Sequence, residues 1–280
     1  MEAIMAESAF QIQYRQEFIK GFEQDQSLLR TTTTTEAVIK GNQATFLVAD
    51  SGSAEAVTRG LNGLIPGRAD NLSQPVATLR EWHDKPIKTG FNVFASQGDQ
   101  RRIMQLTSMA VINRKIDQDI IDELETATND TGAAQPMSLS LAMHALTILG
   151  NNEVPMDGNI FAIISHGALA YLMQTKEFAN AEYVNNKPFS NQPMMFRWAN
   201  VNWIVHPNLP GKATNAEKLF MYHRSAIGHA VDTAGIQTTV DYNKEHDYSY
   251  SLCTVYMGSK VLQSSGIVVI NHDGSGFAAQ

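Results

Sequence analysis

One serine and one histidine stand together after an apolar run, where a hydrolase could carry its nucleophile. Ser165 and His166 follow residues 160–164, which predict a buried strand that leads into a helix. The sharp turn of a nucleophile elbow needs a glycine two residues before the serine, and this chain has none there. Ser165 is therefore expected to cap the helix, and an α/β hydrolase that uses Ser165 and His166 is kept as an alternative.

Two groups of histidines and carboxylates could in principle bind a metal. They are Glu81, His83 and Asp84, and then His223, His229 and Asp232. Neither group has the i, i+4 histidine pair of a helical zinc motif, and a tetrahedral site would need further ligands. Hydrogen bonding at a surface or an interface is expected instead. The sequence predicts no catalytic residue, no metal and no cofactor.

Acidic side chains are concentrated towards the end of a long predicted helix. They are Asp117, Asp119, Asp122, Glu123 and Glu125. Acid–base chemistry or a cation site could be imagined here. Basic residues such as Arg102 and Arg114 precede them on the same helix, so we predict a solvated or partner-facing surface. The chain also lacks a glycine-rich phosphate loop and a dinucleotide fingerprint.

Composition describes a globular protein with few charges. The 280 residues are 43% hydrophobic and 18% charged, and the net charge is −7. A low charged fraction suggests that part of the surface is covered by partners. An acidic chain lacks the basic footprint of a protein that neutralises phosphates, so contact with DNA is expected to be weak and non-specific.

The single cysteine and the N-terminus limit the chemistry further. Cys253 lies within a predicted strand, which excludes an internal disulfide and a multi-thiolate metal site. The first residues are acidic where a signal peptide would be basic, and no apolar run approaches the roughly 20 residues that span a bilayer. Synthesis and assembly in a cytoplasm are expected.

The N-terminal third predicts an arm, a linker and a projecting hairpin. Residues 9–30 form an amphipathic helix with an aromatic stripe that must be buried, which consists of Phe10, Tyr14, Phe18 and Phe22. Five threonines at 31–35 favour extended chain and predict a linker. Residues 45–49 predict a short buried strand, and the long segment 51–94 predicts a hairpin that projects from the body.

The rest of the chain alternates helices and strands. A helix at 97–126, with Ser96 as N-cap and a stripe that includes Ile112, Ile116 and Ile120, is expected to lie across a sheet. A second helix begins after Ser138, and residues 160–164 and the next helix complete an α/β lobe. Two strands at 235–242 and 248–256 are joined by the charged residues 243–247.

Two phrases in this C-terminal part carry a resemblance to a known family. They are His206-Pro207-Asn208-Leu209-Pro210 and Met257-Gly258-Ser259-Lys260-Val261-Leu262-Gln263. Together with the order of elements they resemble the major capsid proteins of tailed bacteriophages. The resemblance implies an α+β fold of the Hong Kong 97-like capsid type, with an N-terminal arm, an extended loop, a long spine helix with a peripheral β-sheet, and an axial α/β lobe.

The same resemblance divides the chain. It implies an arm at 1–40, an extended-loop region at 41–95, a spine helix at 96–136, an axial domain at 137–234, a peripheral β-hairpin at 235–257, and a return to the axial domain at 258–280.

The function that the resemblance implies is structural. Copies of the chain would form pentamers and hexamers of an icosahedral shell around a double-stranded DNA genome, in a virion assembled in the host bacterial cytoplasm. A separate scaffolding protein, a portal and a decoration protein are the implied partners, without a membrane. An encapsulin-like cargo shell is the alternative within the same fold.

Contacts between subunits are expected at two places. One is the aromatic stripe of the arm, which would bind a neighbouring subunit. The other is the tip of the extended loop, where charged residues would pair across subunits: Arg80, Glu81, Asp84, Lys85 and Lys88, with Trp82 among them. Some relatives join such lysines to asparagines by isopeptide bonds, but no motif here fixes an asparagine partner, and we predict no cross-link.

Overall fold

The structure is a computed structural model that describes residues 26–35, 37–51, 54–60, 63, 65–68, 71–95, 100–176, 195–232 and 235–277. In chain order the helices are α1 (Gly90–Ala95), α2 (Gln100–Leu124), α3 (Leu139–Asn151) and α4 (His166–Met173). The strands are β1 (Val38–Lys40), β2 (Gln43–Thr45), β3 (Val48–Asp50), β4 (Asn71–Ser73), β5 (Val76–Thr78), β6 (Arg80–Asp84), β7 (Ile87–Thr89), β8 (Ile160–Ile164), β9 (Met195–Trp198), β10 (Val201–Val205), β11 (Glu217–His223), β12 (Ile227–Val231), β13 (Gln237–Asn243), β14 (Tyr248–Val261) and β15 (Ile267–His272).

The chain divides into two compact units, each built from separated segments. Unit 1 comprises Met1–Ser27, Arg80–Asp117 and Val231–Met257. Unit 2 comprises Leu28–Leu79, Gln118–Ala230 and Gly258–Gln280.

Unit 1 is organised around the long strand β14. The strand β13 pairs with it antiparallel on one side, from Gln237 opposite Thr254 to Asn243 opposite Tyr248. The strands β6 and β7 pair with it antiparallel on the other side. Alternate residues of β14, from Ser249 to Met257, are buried on one face, as expected for a sheet with one covered face.

The unit 1 part of α2 supplies apolar side chains to this core. Met104, Ile112 and Ile116 are at most 2% exposed. The helix reaches the sheet at Thr238, whose hydroxyl lies 3.7 Å from Met109 Sδ. The predicted helix over 97–126 is therefore present as Gln100–Leu124, while its proposed cap Ser96 lies outside the described residues.

Unit 2 contains a mixed five-stranded sheet in the order β15-β11-β8-β10-β9. The strands β8 and β10 are parallel, and the other neighbours are antiparallel. The strand β8 is almost wholly buried, and α3 packs against β15 and β11. The α/β lobe predicted around residues 160–164 is thus present.

Short-range signals explain where the helices of unit 2 begin. Ser138 Oγ accepts a hydrogen bond from the Leu141 N–H at 3.2 Å, and Ser165 Oγ accepts one from the Ala168 N–H at 3.1 Å. Each serine satisfies an N–H that has no carbonyl partner in the first turn. The predicted cap Ser165 is confirmed, and Ser138 caps the helix that was predicted to begin after it.

The strand predicted at 45–49 is wrong. The chain instead ends β2 at Thr45 and begins β3 at Val48. Phe46 is buried between them with Ala44, Ala77 and Ala230, whereas Leu47 is 70% exposed. Residues 45–49 do not form one strand because they contribute to two different small sheets, β1-β2-β5 and β3-β4.

The threonine tract is not a linker. Residues Arg30–Thr32 form a 3₁₀ turn, and Thr32 and Thr33 are buried. The Thr32 hydroxyl lies 2.5 Å from the Tyr222 hydroxyl, and the Thr34 N–H donates to the Ile227 carbonyl at 3.0 Å. These partners satisfy the polar groups of the tract and attach it to unit 2.

The hairpin predicted over 51–94 is only partly present. The strands β3 and β4 pair antiparallel across its first half. Residues Arg80–Asp84 and Ile87–Thr89 instead belong to the main sheet of unit 1. A strand at this position gains a full ladder with β14, which a projecting loop would lack.

Candidate interaction surfaces

The two predicted contact regions differ in how far the structure describes them. The aromatic stripe Phe10, Tyr14, Phe18 and Phe22 lies outside the described residues. The second set lies on β6 and β7 and on the residues between them, so its placement at a loop tip is wrong. Arg80, Glu81 and Lys85 are exposed there, and Trp82, Asp84 and Lys88 are half-buried.

Trp82 is held by the long helix of the same unit. The Lys115 ammonium lies 4.1 Å from the centroid of the Trp82 ring, within the range of a cation–π interaction. The indole Nε1 is buried and has no hydrogen-bond partner among the described residues. Trp82 therefore contributes to the packing of unit 1, a role that sequence reasoning missed.

Lys85 lies beside an aromatic cluster on β14. Its Nζ is 4.5 Å from the ring centroid of Tyr250 and 5.7 Å from that of Tyr248. The His246 ring stacks on Tyr248 with centroids 6.2 Å apart. Alternating tyrosines at 248 and 250 point to one face of a strand, so this cluster could have been expected from the sequence.

The histidine groups make hydrogen bonds with nearby side chains. His83 Nδ1 lies 2.9 Å from Thr254 Oγ1, and its Nε2 lies 3.5 Å from Glu81. His229 Nδ1 lies 3.0 Å from Ser259 Oγ. Among the described residues, no three His, Cys, Asp or Glu side chains come close enough together to hold a metal ion.

His223 belongs to a polar chain in unit 2. Its Nδ1 lies 2.7 Å from Ser225 Oγ, and its Nε2 lies 3.1 Å from Asp157 Oδ1. Hydrogen bonds from the Asn159 side chain and backbone N–H, with a smaller contribution from His223, lower the pKa of Asp157 to about 2. These hydrogen bonds connect the loop before β8 to the end of β11.

The hydrolase alternative is not supported by the geometry. Ser165 is 3% exposed and its oxygen caps α4. His166 is the first residue of that helix and is exposed. A nucleophile needs an accessible oxygen and a base within hydrogen-bond reach, and Ser165 is neither accessible nor free of its cap.

The acidic end of α2 is only partly solvated. Asp122 and Glu125 are exposed, as the sequence predicted, whereas Asp117, Asp119 and Glu123 bind other chain segments. Within unit 2, Ser259 Oγ donates to Asp119 Oδ2 at 2.6 Å, and Lys260 Nζ donates to Glu123 Oε1 at 2.9 Å. In unit 1, Ser27 Oγ donates to the buried Asp117. These three carboxylates attach chain segments that are distant in sequence.

Both sequence phrases now have structural roles in unit 2. The backbone of Gly258 passes so close to Thr78 that an added Cβ would lie 2.5 Å from the Thr78 carbonyl oxygen. Ser259 and Lys260, which follow Gly258, bind the carboxylates at the end of α2. In the other phrase, the buried His206 donates its N–H to the Ile164 carbonyl at 2.8 Å, and its Nδ1 accepts from the Asn208 N–H at 3.2 Å.

Solved structures with the same fold include two phage structures and the capsid of a particle. A structure described as Mycobacterium phage Che8 superposes with a TM-score of 0.71 at 14% identity, over 91% of this chain and 97% of that chain. The capsid of a native GTA particle superposes with a TM-score of 0.72 at 12% identity, over 98% of this chain and 99% of that chain. A structure described as Microbacterium phage Oxtober96 superposes with a TM-score of 0.69 at 13% identity, over 95% of this chain and 98% of that chain.

These matches cover nearly whole chains, so the fold is that of tailed-phage capsid proteins, as the sequence predicted. The sequence pattern of the family described as phage capsid protein matches residues 6–274, and the chain belongs to that family. No curated protein is recognisably similar in sequence.

Membership of this family makes the role structural. The chain is a major capsid protein of the tailed-phage kind, which associates with copies of itself in the virion, and the encapsulin and hydrolase alternatives are not favoured. Among the described residues, no helix combines the length and the apolar character that crossing a membrane requires.

Proposed function

We propose that copies of this chain close into pentamers and hexamers of an icosahedral shell that encloses double-stranded DNA, without catalysing a reaction. The observation that supports this most is the family match over residues 6–274, joined to a fold shared over nearly whole capsid subunits. Identical subunits that close under symmetry need self-complementary surfaces rather than an active site.

The same proposal names the further partners. A separate scaffolding protein would direct assembly in the host bacterial cytoplasm, a portal would occupy one vertex, and a decoration protein could bind the finished shell. Contact with packaged DNA would be weak and non-specific because the net charge is −7.

The contact residues of the proposal remain the two predicted sets. The aromatic stripe at Phe10, Tyr14, Phe18 and Phe22 would bury apolar surface on a neighbour at about 25 cal/mol per Å². The charged residues of the second set lie on β6, on β7 and between these two strands, along one edge of the unit 1 sheet. Arg80, Glu81 and Lys85 are exposed, and Asp84 and Lys88 are half-buried. They would pair across subunits, each pair contributing about 0 to 1 kcal/mol.

Electron microscopy of the expressed protein tests the proposal. Negatively stained preparations of the chain alone, and of the chain with a scaffold gene from the same genome, should show closed shells of uniform diameter. Soluble monomers in both preparations would overturn it. A variant with the charges of Arg80, Glu81, Asp84, Lys85 and Lys88 all reversed should fold but not assemble, whereas single reversals should assemble.

A further inference from the structure

The sheet of unit 1 has one edge that carries no described strand. In the order of this sheet, β13 stands last and pairs only with β14. An edge strand presents a row of backbone N–H and C=O groups that can pair with another chain. β13 offers seven residues, Gln237–Asn243.

The groups that face this edge can be identified from the ladder. The Ser251 N–H donates to the Pro86 carbonyl on the opposite side of β14, so Ser251 does not bond to β13. Its partner Val240 must therefore direct its N–H and C=O away from β14, because antiparallel pairs alternate. Thr238 and Tyr242, each two residues from Val240, also direct their N–H and C=O groups away from β14. The Tyr242 N–H confirms this, since it donates to its neighbour Asp241 at 2.7 Å.

The opposite edge of the sheet is protected and β13 is not. Between β6 and β7 the edge is interrupted by Lys85 and Pro86, and proline and lysine are the residues that natural edge strands use against pairing. From Gln237 to Asn243 there is neither. Val240 is 37% exposed and Tyr242 is 38% exposed, so this edge also has apolar side chains that another strand would cover.

We propose that β13 pairs antiparallel with β13 of a second copy across a two-fold axis, with Val240 opposite Val240 of the partner. This proposal rests on the self-assembly described under the proposed function. A two-fold contact places the same surface on both partners, so one unpaired edge is sufficient. In this register Thr238 lies opposite Tyr242 of the partner. The Tyr242 N–H would exchange its bond with the Asp241 side chain for one with the Thr238 carbonyl of the partner.

Two neighbouring registers are less favourable than this one. In each of them the outward-facing residues still oppose one another. Centring the axis on Asp241 places two carboxylates opposite each other, which is unfavourable. Centring it on Thr239 places Tyr242 opposite residue 236 of the partner, outside the strand Gln237–Asn243. With Val240 at the centre, Asp241 lies opposite Thr239 of the partner.

Cysteine cross-linking tests the pairing. The Cα atoms of a hydrogen-bonded antiparallel pair are about 5.5 Å apart, within the range that a disulfide spans. Shells of Val240→Cys, mildly oxidised, should yield mostly disulfide dimers on a non-reducing gel. Gln237→Cys is the matched control, because the two copies of residue 237 would be six positions, or about 20 Å, apart. The native Cys253 is buried.

A proline substitution tests the same contact without a thiol. Val240→Pro removes an N–H that β14 does not use, so the subunit should keep the parent's unfolding midpoint and lose at least half of its shells. Thr239→Pro removes an inward N–H and should instead lower the unfolding midpoint. Intact Val240→Cys shells without dimers, equal cross-linking of Gln237→Cys, or Val240→Pro shells at the parent's yield would overturn the pairing. Absence of shells from the parent chain would overturn the assembly itself.

Discussion

Glu123 Oε1 accepts a hydrogen bond from Lys260 Nζ at 2.9 Å. The same oxygen accepts a second bond from the Val261 N–H at 3.0 Å, and the Glu123 side chain is only 19% exposed. One carboxylate thus attaches the end of α2 to the end of β14 within unit 2.

Replacing Glu123 by alanine should destabilise the subunit. The Val261 N–H would lose its partner, which costs about 1 to 3 kcal/mol when the group is shielded from water. Chemical unfolding of the unassembled subunit measures this. Glu125→Ala is the control: Glu125 pairs with Lys218 at 2.6 Å with both side chains 38% exposed, and such pairs contribute about 0 to 1 kcal/mol. An equal decrease in the free energy of unfolding in the two variants would contradict the prediction.

Replacing Ile116 by alanine should leave a cavity in unit 1. Ile116 is fully buried, and truncations of this kind cost about 2 to 5 kcal/mol. We expect a lower unfolding midpoint and aggregated or unassembled subunits, because a softened helix cannot hold a subunit in one shape. Val111→Ala is the control, at a residue of the same helix that is 39% exposed. Its unfolding midpoint should fall less than that of Ile116→Ala. An Ile116→Ala subunit that melts and assembles like the parent would show that this part of α2 does not pack on the sheet.

Stability should depend on pH through Asp157. Its pKa falls from 3.8 to about 2 in the folded chain, so the ionised carboxylate stabilises the folded state above about pH 4. This contribution is lost as the pH falls from about 4 to about 2. The difference in unfolding midpoint between the parent and Asp157→Asn should therefore shrink as the pH falls from about 4 to about 2. A difference that stays constant over the whole range would argue against it.

The Lys115 and Trp82 side chains should be energetically coupled. A cation over an indole face contributes about 0.5 to 2 kcal/mol, depending on its exposure to water. A double-mutant cycle with Lys115→Met and Trp82→Leu, measured by chemical unfolding, isolates this value. Additive effects of the two substitutions would mean that the two groups do not interact.

Removal of residues 1–25 should abolish shells and leave a soluble subunit. The deletion ends there because Leu29 and Thr32 are buried in unit 2, and Ser27 binds Asp117 in unit 1. The apolar surface that the aromatic stripe would bury on a neighbour is lost with it. Deletion of residues 1–8 keeps Phe10, Tyr14, Phe18 and Phe22 and should still assemble. Microscopy of both variants decides, and normal shells from the longer deletion would refute the role of the arm.

Local features of this chain could be predicted from its sequence, whereas distant pairings could not. The caps Ser138 and Ser165 each bind an N–H three residues ahead, so their role follows from neighbouring residues. Thr32 binds Tyr222, 190 residues away, and only the folded chain reveals that partner. The threonine tract was therefore expected to be a linker.

The same distinction explains the errors at the predicted loop and the acidic helix end. Residues 80–89 alternate weakly and contain a proline, and their strand is defined by pairing with β14, more than 150 positions later. The carboxylates of α2 were interpreted from their own helix, which cannot show that Ser259 and Lys260 bind them. The family, by contrast, was recognised from the order of elements and from two short segments. Gly258 in one of them passes too close to Thr78 for a side chain.

The interruption at Lys85 and Pro86 limits how far a sheet could grow from one subunit to the next. With proline at one edge of the unit 1 sheet, β13 is the one described edge of that sheet at which a strand can be added. Pairing through β13 would then stop at two copies, and a fibril of stacked strands could not propagate through the unit 1 sheet. The unit 1 sheet would therefore support a contact between two subunits, which suits a closed particle and not an open fibre.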